Sequence, residues 1–526
     1  MSWSQNEAVK VGIVGGGPRG LFCLERIALE LRKLPVEKRR AVEVTLFETS
    51  QFPGAGTIYD PNQPRFLLMN YPVRFIDIWS RESRDIYPEL RTNLYDWLTR
   101  NYPEFASEHG FVPRALVGEY LHEGFRHVID TLPEGMSLKV IPAKVEDVTQ
   151  NDAGWIAYTK HSRFDFDEVV MTVGHEGWRP VSEAGLERSV FPVERQLSVE
   201  SVPPDSKIAV RGFSLTFIDA VLALTEMRGG QFSSDGIYDP SGGEPRAIIP
   251  FSRTGRPMLP KPDYQKVTIP GQWGEIWKYY RQKIEDIHGR ANFSDDIMPL
   301  IFEAADEAVA GDTSKWFQDF LAPTPSLNKL KTGYDVATGN APADEGLALA
   351  EAWRNLYPDM VRVLEHGGLS EAGWPSYLYY STEMERIAFG PSAINVGKML
   401  SLVDKGILLL DQPLDQVDDC DQVIDARIPS PTSLAVDSPL RKLLQRGSVR
   451  WLHGNRGIEI GRNGDAIDSR GRTVDGLAIV GRVTEGCVIG NDTLSRTLNQ
   501  HIDRWARTVA NRHYTKPSSR YEYSAA

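Results

Sequence analysis

The residues best spaced for chemistry stand near the start of the chain, where Gly15-Gly16-Gly17-Pro18-Arg19-Gly20 spells G-x-G-x-x-G. In such a turn Gly15 permits a tight reversal, Gly17 lets backbone N–H groups approach a pyrophosphate, and Gly20 lets a helix pack closely on a sheet. Pro18 and Arg19 open the helix, whose N-terminus supplies positive potential for phosphate. Glu48 closes the next strand-like run, where a carboxylate can accept hydrogen bonds from a ribose diol. Its distance beyond Gly20 exceeds the usual roughly 20 residues, an excess assigned to a long helix and the charged loop at 35–40. The competing reading is a glycine turn without a ligand. The strand before the turn and the helix after it weigh against that, but the fingerprint itself serves FAD and NAD alike.

The elements that must hold these residues follow from periodicity. Residues 11–14 read as a strand, 21–33 as a helix and 42–47 as a second strand, which together make a βαβ unit. A weaker unit begins at Ile208-Ala209-Val210, turns at Gly212 and continues as a helix-like stretch over 215–227. There Gly212 keeps the first glycine position, whereas Ser214 and Phe217 replace the second and third. Serine still admits a phosphate, and phenylalanine is expected to push the helix outward. Between the two units, 137–141 and 155–158 alternate like strands, and 168–173 returns to the first sheet. From about 260 to 380 the composition changes to long helix-like stretches carrying Trp273, Trp277, Trp316, Trp353 and Trp374, read as a helical insertion covering a site. Residues 476–481 look like a late core strand, and 493–510 like a closing helix.

The bulk properties bound the function. A chain of 526 residues exceeds one ordinary core, and 41% hydrophobic residues with 12 Trp, 19 Tyr and 20 Phe argue for a folded protein. The net charge of −12, with Lys38-Arg39-Arg40 its densest basic run, gives no footprint for nucleic acid or an anionic membrane. Cys23, Cys420 and Cys487 are too scattered for a disulfide framework, a C-x-x-C pair or a zinc site, so no metal is expected. No apolar stretch reaches the roughly 18 residues of a membrane span, and residues 1–10 are polar. A soluble, cytoplasmic, small-molecule protein is the expectation, with the oligomeric state left open.

Further segments carry a resemblance. Pro53-Gly54-Ala55-Gly56-Thr57-Ile58-Tyr59, Phe66-Leu67-Leu68-Met69-Asn70, Phe111-Val112-Pro113-Arg114, Thr172-Val173-Gly174-His175 and Gly212-Phe213-Ser214-Leu215 together resemble the FAD/NAD(P)-binding protein family related to flavin-dependent N-hydroxylating monooxygenases. The resemblance covers most of 10–260 and returns near the C-terminus. It implies that Gly54, Gly56, Thr57, Met69 and Asn70 line a flavin and that Val145 lies near its adenine. It implies too that Thr172, Gly174 and His175 carry the crossover between two dinucleotide domains. Met69 as core filling, Asn70 as a turn residue and His175 as a structural histidine are the alternatives. An imidazole titrating near pH 6.5 makes His175, with Asn70, a weak catalytic candidate.

Arg253 and Arg256 follow the strand-like run 247–250, and either guanidinium could hold a 2′-phosphate, selecting NADPH; solvated surface arginines are the alternative. The resemblance implies that the closing helix points its N-terminus at the flavin pyrimidine, with Asp492 and Thr493 touching the flavin or capping the helix; a plain N-cap by Asn491 or Asp492 is the alternative. The expected architecture is α/β: two Rossmann-like dinucleotide-binding domains for FAD and NAD(P), with a largely helical insertion. FAD binding takes 1–200 and 431–526, the nicotinamide domain takes 201–260 and 386–430, and the insertion takes 261–385. The resemblance implies an NADPH-dependent monooxygenase using O2 on a small amine or amino acid. A flavin oxidase or dehydrogenase without nicotinamide, and a non-catalytic flavin-binding partner or sensor, remain the alternatives.

Overall fold

A computed structural model describes residues 8–36, 39–176, 187–413, 415–454, 456–491 and 493–512. Its first sheet has six strands in the order Asp465–Ile467, Thr473–Ile479, Glu168–Met171, Val9–Val14, Val42–Phe47 and Met136–Ile141. All neighbours are parallel except the outermost pair, Asp465–Ile467 with Thr473–Ile479. The central strand Val9–Val14 is buried on both faces, hence its nearly unbroken apolar run. The helix Pro18–Lys33 crosses over to the parallel strand Val42–Phe47. The closing helix His501–Arg512 packs beside it, held by Arg496 to Glu25 at 2.8 Å and Arg26 to Asp503 at 3.1 Å. Both ends of the chain therefore build one domain.

The second sheet is wholly parallel, in the order Ala247–Phe251, Lys207–Arg211, Gln422–Asp425 and Glu187–Ser189. Glu187–Ser189 lies before residue 200, so the second sheet starts earlier in the chain than its sequence suggests. The strand is three residues of polar sequence, with no apolar run to announce it. An antiparallel three-stranded sheet, Val145–Asn151, Gly154–Thr159 and Arg163–Phe166, covers the ends of the first sheet through Val14, Phe47 and Phe166.

The stretch between Ala247–Phe251 and Gln422–Asp425 is helical. Trp273–Glu285, Met298–Val309, Thr313–Leu321, Glu345–Leu364 and Trp374–Ala388 enclose a core holding Trp273, Trp277, Phe293, Trp353 and Tyr377. Ser326–Ala337 and Ala393–Asp404 instead contribute Leu330, Val396 and Met399 to the core beneath the second sheet. The insertion is thus anchored by its own helices to the nucleotide domain it interrupts. Among the described residues, no helix is long and apolar enough to cross a membrane.

Candidate dinucleotide and substrate cleft

The glycine turn has the geometry its sequence predicts. Gly15 holds φ of +109°, and a Cβ there would meet the Thr172 carbonyl oxygen at 2.4 Å. A Cβ on Gly20 would meet the Gly15 carbonyl oxygen at 2.2 Å, so the helix sits directly on the turn. Gly17 faces Gly56, whose Cα lies 3.5 Å from where a Gly17 Cβ would stand. Pro18 occupies the first turn of the helix, and no side chain caps its N-terminus. Backbone N–H groups therefore face a cradle that any side chain at Gly17 or Gly56 would fill.

Glu48 closes the other side. Its carboxylate accepts from the Gly16 N–H at 2.9 Å and the Ser50 N–H at 2.7 Å, which fixes it at the end of Val42–Phe47. The Thr172 hydroxyl donates to the Gly15 carbonyl at 2.6 Å, joining the crossover to the turn. Gly174 has φ of +74° and no atom within 4 Å of a built Cβ, so the backbone there borders open space. His175 is half-buried just beyond it, and the Glu176 carboxylate accepts from the Ala435 N–H at 3.3 Å. Val145 is buried with Val14 and Phe47 at the strand ends.

Other expected residues have different surroundings. Gly54 is buried against the helix Arg114–Asp130, where a Cβ would lie 2.7 Å from the Leu121 carbonyl oxygen, so its glycine serves close packing. Thr57 is exposed. Met69 lies in the first core and its N–H donates to the Val112 carbonyl at 2.8 Å. The Asn70 amide donates to the Phe389 carbonyl at 3.4 Å, so this segment meets the helical insertion.

The closing segment corrects one expectation. The final helix starts at His501, not near 493, because Ser495 turns the chain: its hydroxyl accepts from the N–H groups of Thr497 and Leu498 at 3.3 and 3.2 Å. Thr493 therefore caps no helix. Its carbonyl and that of Asn491 instead accept from the Arg19 guanidinium at 2.8 and 2.5 Å, which binds the C-terminal segment to the glycine turn. Asp492 lies outside the described residues.

The second turn is built more loosely. Gly212 has φ of +114° and its N–H donates to the Phe251 carbonyl at 2.9 Å. Ser214 is exposed at the start of Leu215–Ala223 and makes no capping bond. Phe217 is fully buried and stacks edge-on with Phe213 at 5.1 Å, filling the space beneath the helix with its ring. Arg253 is exposed after Ala247–Phe251, at the edge where a ribose phosphate would lie. Arg256 is corrected: it grips the Glu383 carboxylate at 2.6 and 3.0 Å and donates to the Leu321 carbonyl, so its fork is spent on holding the insertion. The buried Asp219 pairs with Arg114 at 2.8 Å, bridging the helices of the two nucleotide units.

Sequence reasoning did not single out the place where the helical insertion meets Asn70 and Gly490. The Phe389 and Tyr357 rings meet edge-on at 5.2 Å, and the Tyr357 hydroxyl lies 2.9 Å from a built Gly490 Cβ. Beside them Lys261, which is 4% exposed, donates from its ammonium to the Asn70 carbonyl. Burial, and then the Arg354 charge, hold Lys261 well below its ordinary value. The one local signal was the bracketing Pro260 and Pro262, which exclude a helix there.

Residues 12–176 match the FAD-NAD(P)-binding family. The glycine turn, Glu48 and the Gly17/Gly56 cradle all fall in the matched segment, and their open backbone fits a dinucleotide pyrophosphate and ribose. Beyond this segment, the chain is similar to a nitrosuccinic acid synthase of Aspergillus oryzae, 24% identical over 90% of this chain and 88% of that protein. It is similar also to an L-aspartate N-monooxygenase (nitrosuccinate-forming) of Streptomyces cremeus, 25% identical over 80% of this chain and 77% of that one. A solved lysine monooxygenase of Nocardia farcinica aligns over 94% of this chain and 98% of its own, at 15% identity and a TM-score of 0.48.

Proposed function

We propose that the protein is an FAD-dependent, NADPH-consuming monooxygenase that oxygenates the amine of an amino acid, with L-aspartate the first substrate to try. The observation that supports this most is the glycine cradle, where Gly15, Gly20 and the facing pair Gly17 and Gly56 leave backbone open beside the fixed Glu48 carboxylate. The two long-range relatives named above supply the choice of amino acid.

FAD, when bound, supplies two-electron acceptance from a nicotinamide and the activation of dioxygen. Gly17 and Gly56 would leave room for its pyrophosphate against the helix N-terminus, and Glu48 would accept from its ribose diol. Gly212 and Ser214 would do the same for the nicotinamide nucleotide, with Arg253 on the 2′-phosphate. Tyr357, Phe389 and the segment Met69-Asn70 would exclude water from the reacting face, where reduced oxygen species are otherwise lost to solvent. The balance per turnover is one NADPH, one proton and one O2 consumed, one oxygen atom on the substrate nitrogen, and one water and one NADP+ released.

The test is an anaerobic titration of purified holoprotein with NADPH and then NADH, followed by air and L-aspartate, with products read by mass spectrometry. Bleaching of the yellow colour by NADPH and a product heavier by oxygen on nitrogen support the proposal. A yellow protein that neither donor bleaches would move the reading to an oxidase or a binding protein. A protein that takes up no FAD would end it.

A further inference from the structure

The most unusual charge in the molecule is Lys261. Its backbone is fixed: its N–H donates to the Pro391 carbonyl at 2.7 Å, and a parallel bridge joins it to Ser392, the cap of Ala393–Asp404. Its side chain runs to the Asn70 carbonyl, beside the Phe389 carbonyl that takes the Asn70 amide. Among the described residues no carboxylate pairs with the ammonium. The charge that acts on it is another cation, Arg354, whose own fork is engaged by Glu351 at 2.7 Å and the Ala388 carbonyl at 2.6 Å. The hydroxyl of Tyr264 and the amide of Asn355 donate to the same Glu351 carboxylate, at 2.7 and 3.2 Å. Glu351 is therefore committed to Arg354.

Burying an ammonium without a counter-charge costs several kcal/mol, on the order expected for any unpaired buried ion. Buried arginines of this chain have carboxylate partners, as the sets Arg26/Glu30, Arg91/Glu25 and Arg354/Glu351 show. Lys261 departs from the pattern at the point where the flavin-side segment 69–70 meets the insertion. An arriving carboxylate would complete the pair and satisfy the donors the Asn70 carbonyl leaves over, since an ammonium carries three.

We propose that the Lys261 ammonium anchors one carboxylate of the amino-acid substrate, so that the substrate's own charge completes a pair the protein leaves open. This rests on the amino-acid oxygenase reading above. It makes Lys261 a specificity residue: a simple amine brings no counter-charge to the site, whereas an amino acid does.

The experiment is a ligand-by-residue cycle on the FAD-loaded protein. Equilibrium binding is measured calorimetrically for L-aspartate, L-asparagine and the α-amide of aspartate, against the parent protein and Lys261→Met. Flavin absorbance and thermal unfolding verify that each variant is folded. The expected result is a Kd for L-aspartate raised on the order of 10- to 100-fold in K261M, as for loss of a charge-assisted hydrogen bond. One of the two amides should lose its binding penalty in K261M, because the partner it offends is gone. If both penalties survive at full size in K261M, Lys261 meets neither carboxylate and the inference is overturned. Should K261M not retain flavin, Lys261→Gln, which keeps a donor to Asn70, carries the same cycle with the same two outcomes. Product formation by the parent protein is scored separately. Lys261-dependent binding of L-aspartate without any N-oxygenated product would keep the anchor and discard the oxygenase reading, while product with an unchanged cycle would do the reverse.

Discussion

The two nucleotide turns solve one steric problem in opposite ways. At the first, the helix comes so close that even a methyl group on Gly20 would lie 2.2 Å from the Gly15 carbonyl oxygen. At the second, the corresponding position is Phe217, whose whole ring is buried and packed on Phe213. The expectation that phenylalanine pushes the helix outward treats the ring as an obstacle; in the fold it is part of the core. A third glycine is needed only where the helix rests on the turn itself. The first turn is also tied shut from outside, by Arg19 to the carbonyls of residues 491 and 493 and by Glu48 to Gly16. At the second, Asp219 to Arg114 is a cross-link of this kind. The difference suits a tightly held FAD and an exchangeable nicotinamide.

The largest effect should come from Gly20→Ala. The clash is with backbone, so the helix must lift from the turn and the phosphate cradle with it. FAD affinity should fall by roughly 100-fold or more, about 2.7 kcal/mol, leaving purified protein pale. A G20A protein as yellow as its parent would show that the two turns are not distinguished by this contact. Phe217→Ala is the counterpart. It should lower stability by about 3–5 kcal/mol, as for other buried aromatic truncations, yet leave flavin content unchanged in the folded fraction. Denaturant unfolding paired with flavin absorbance separates the two outcomes.

Next in size is the pair of arginines that follow the strand Ala247–Phe251. On the proposed reading, in which Arg253 alone of the two reaches the 2′-phosphate, Arg253→Ala should raise the KM for NADPH by roughly 10- to 100-fold and leave NADH nearly unaffected. Arg256→Ala should instead cost up to about 3 kcal/mol of stability by leaving the buried Glu383 carboxylate to the longer Arg386 pair at 3.5 Å, without changing the choice between nucleotides. Steady-state kinetics with both cofactors, beside a melting curve, would expose a reversal of these roles.

Those two arginines also mark where sequence reasoning stops. The α/β architecture with two Rossmann-type units and a helical insertion was legible because its signals are local: buried parallel strands as apolar runs, glycines where backbone approaches backbone. Thr172 and Glu48 were legible for the same reason, each standing at the end of a strand. Arg253 and Arg256, three positions apart, look alike in sequence, and what divides them is Glu383, 127 positions further on. Lys261, Tyr357 and Phe389 were invisible because each acquires its role from a partner brought up by the fold. Thr493 was misjudged because its side chain suggested a cap, while its carbonyl does the work on Arg19. Periodicity reads what a residue is; it does not read which distant charge has already claimed it.

The smallest expected effect concerns acid. His501, at the start of the closing helix, is fully enclosed; burial foremost, then the Arg19 charge, the His366 imidazole once protonated and the Arg504 charge, push it down to about 3. His366 is pushed down to about 4 by burial and by Arg462 and Arg504. In the unfolded chain both imidazoles take up protons as the pH falls through about 6.5, while in the fold they remain neutral. The unfolded state therefore binds more protons in that window. Their contribution to stability is full above pH 6.5 and is lost progressively as the pH falls toward 4 and 3. Because His501 lies against Arg19, this loosening should reach the first turn before the second. The melting temperature of the parent should drop between pH 6.5 and 4 with early release of FAD, and His501→Phe should make that drop shallower by a few degrees at most. Equal slopes for the two proteins would place the acid sensitivity outside the closing helix and leave the first turn's tightness to Arg19 and Glu48 alone.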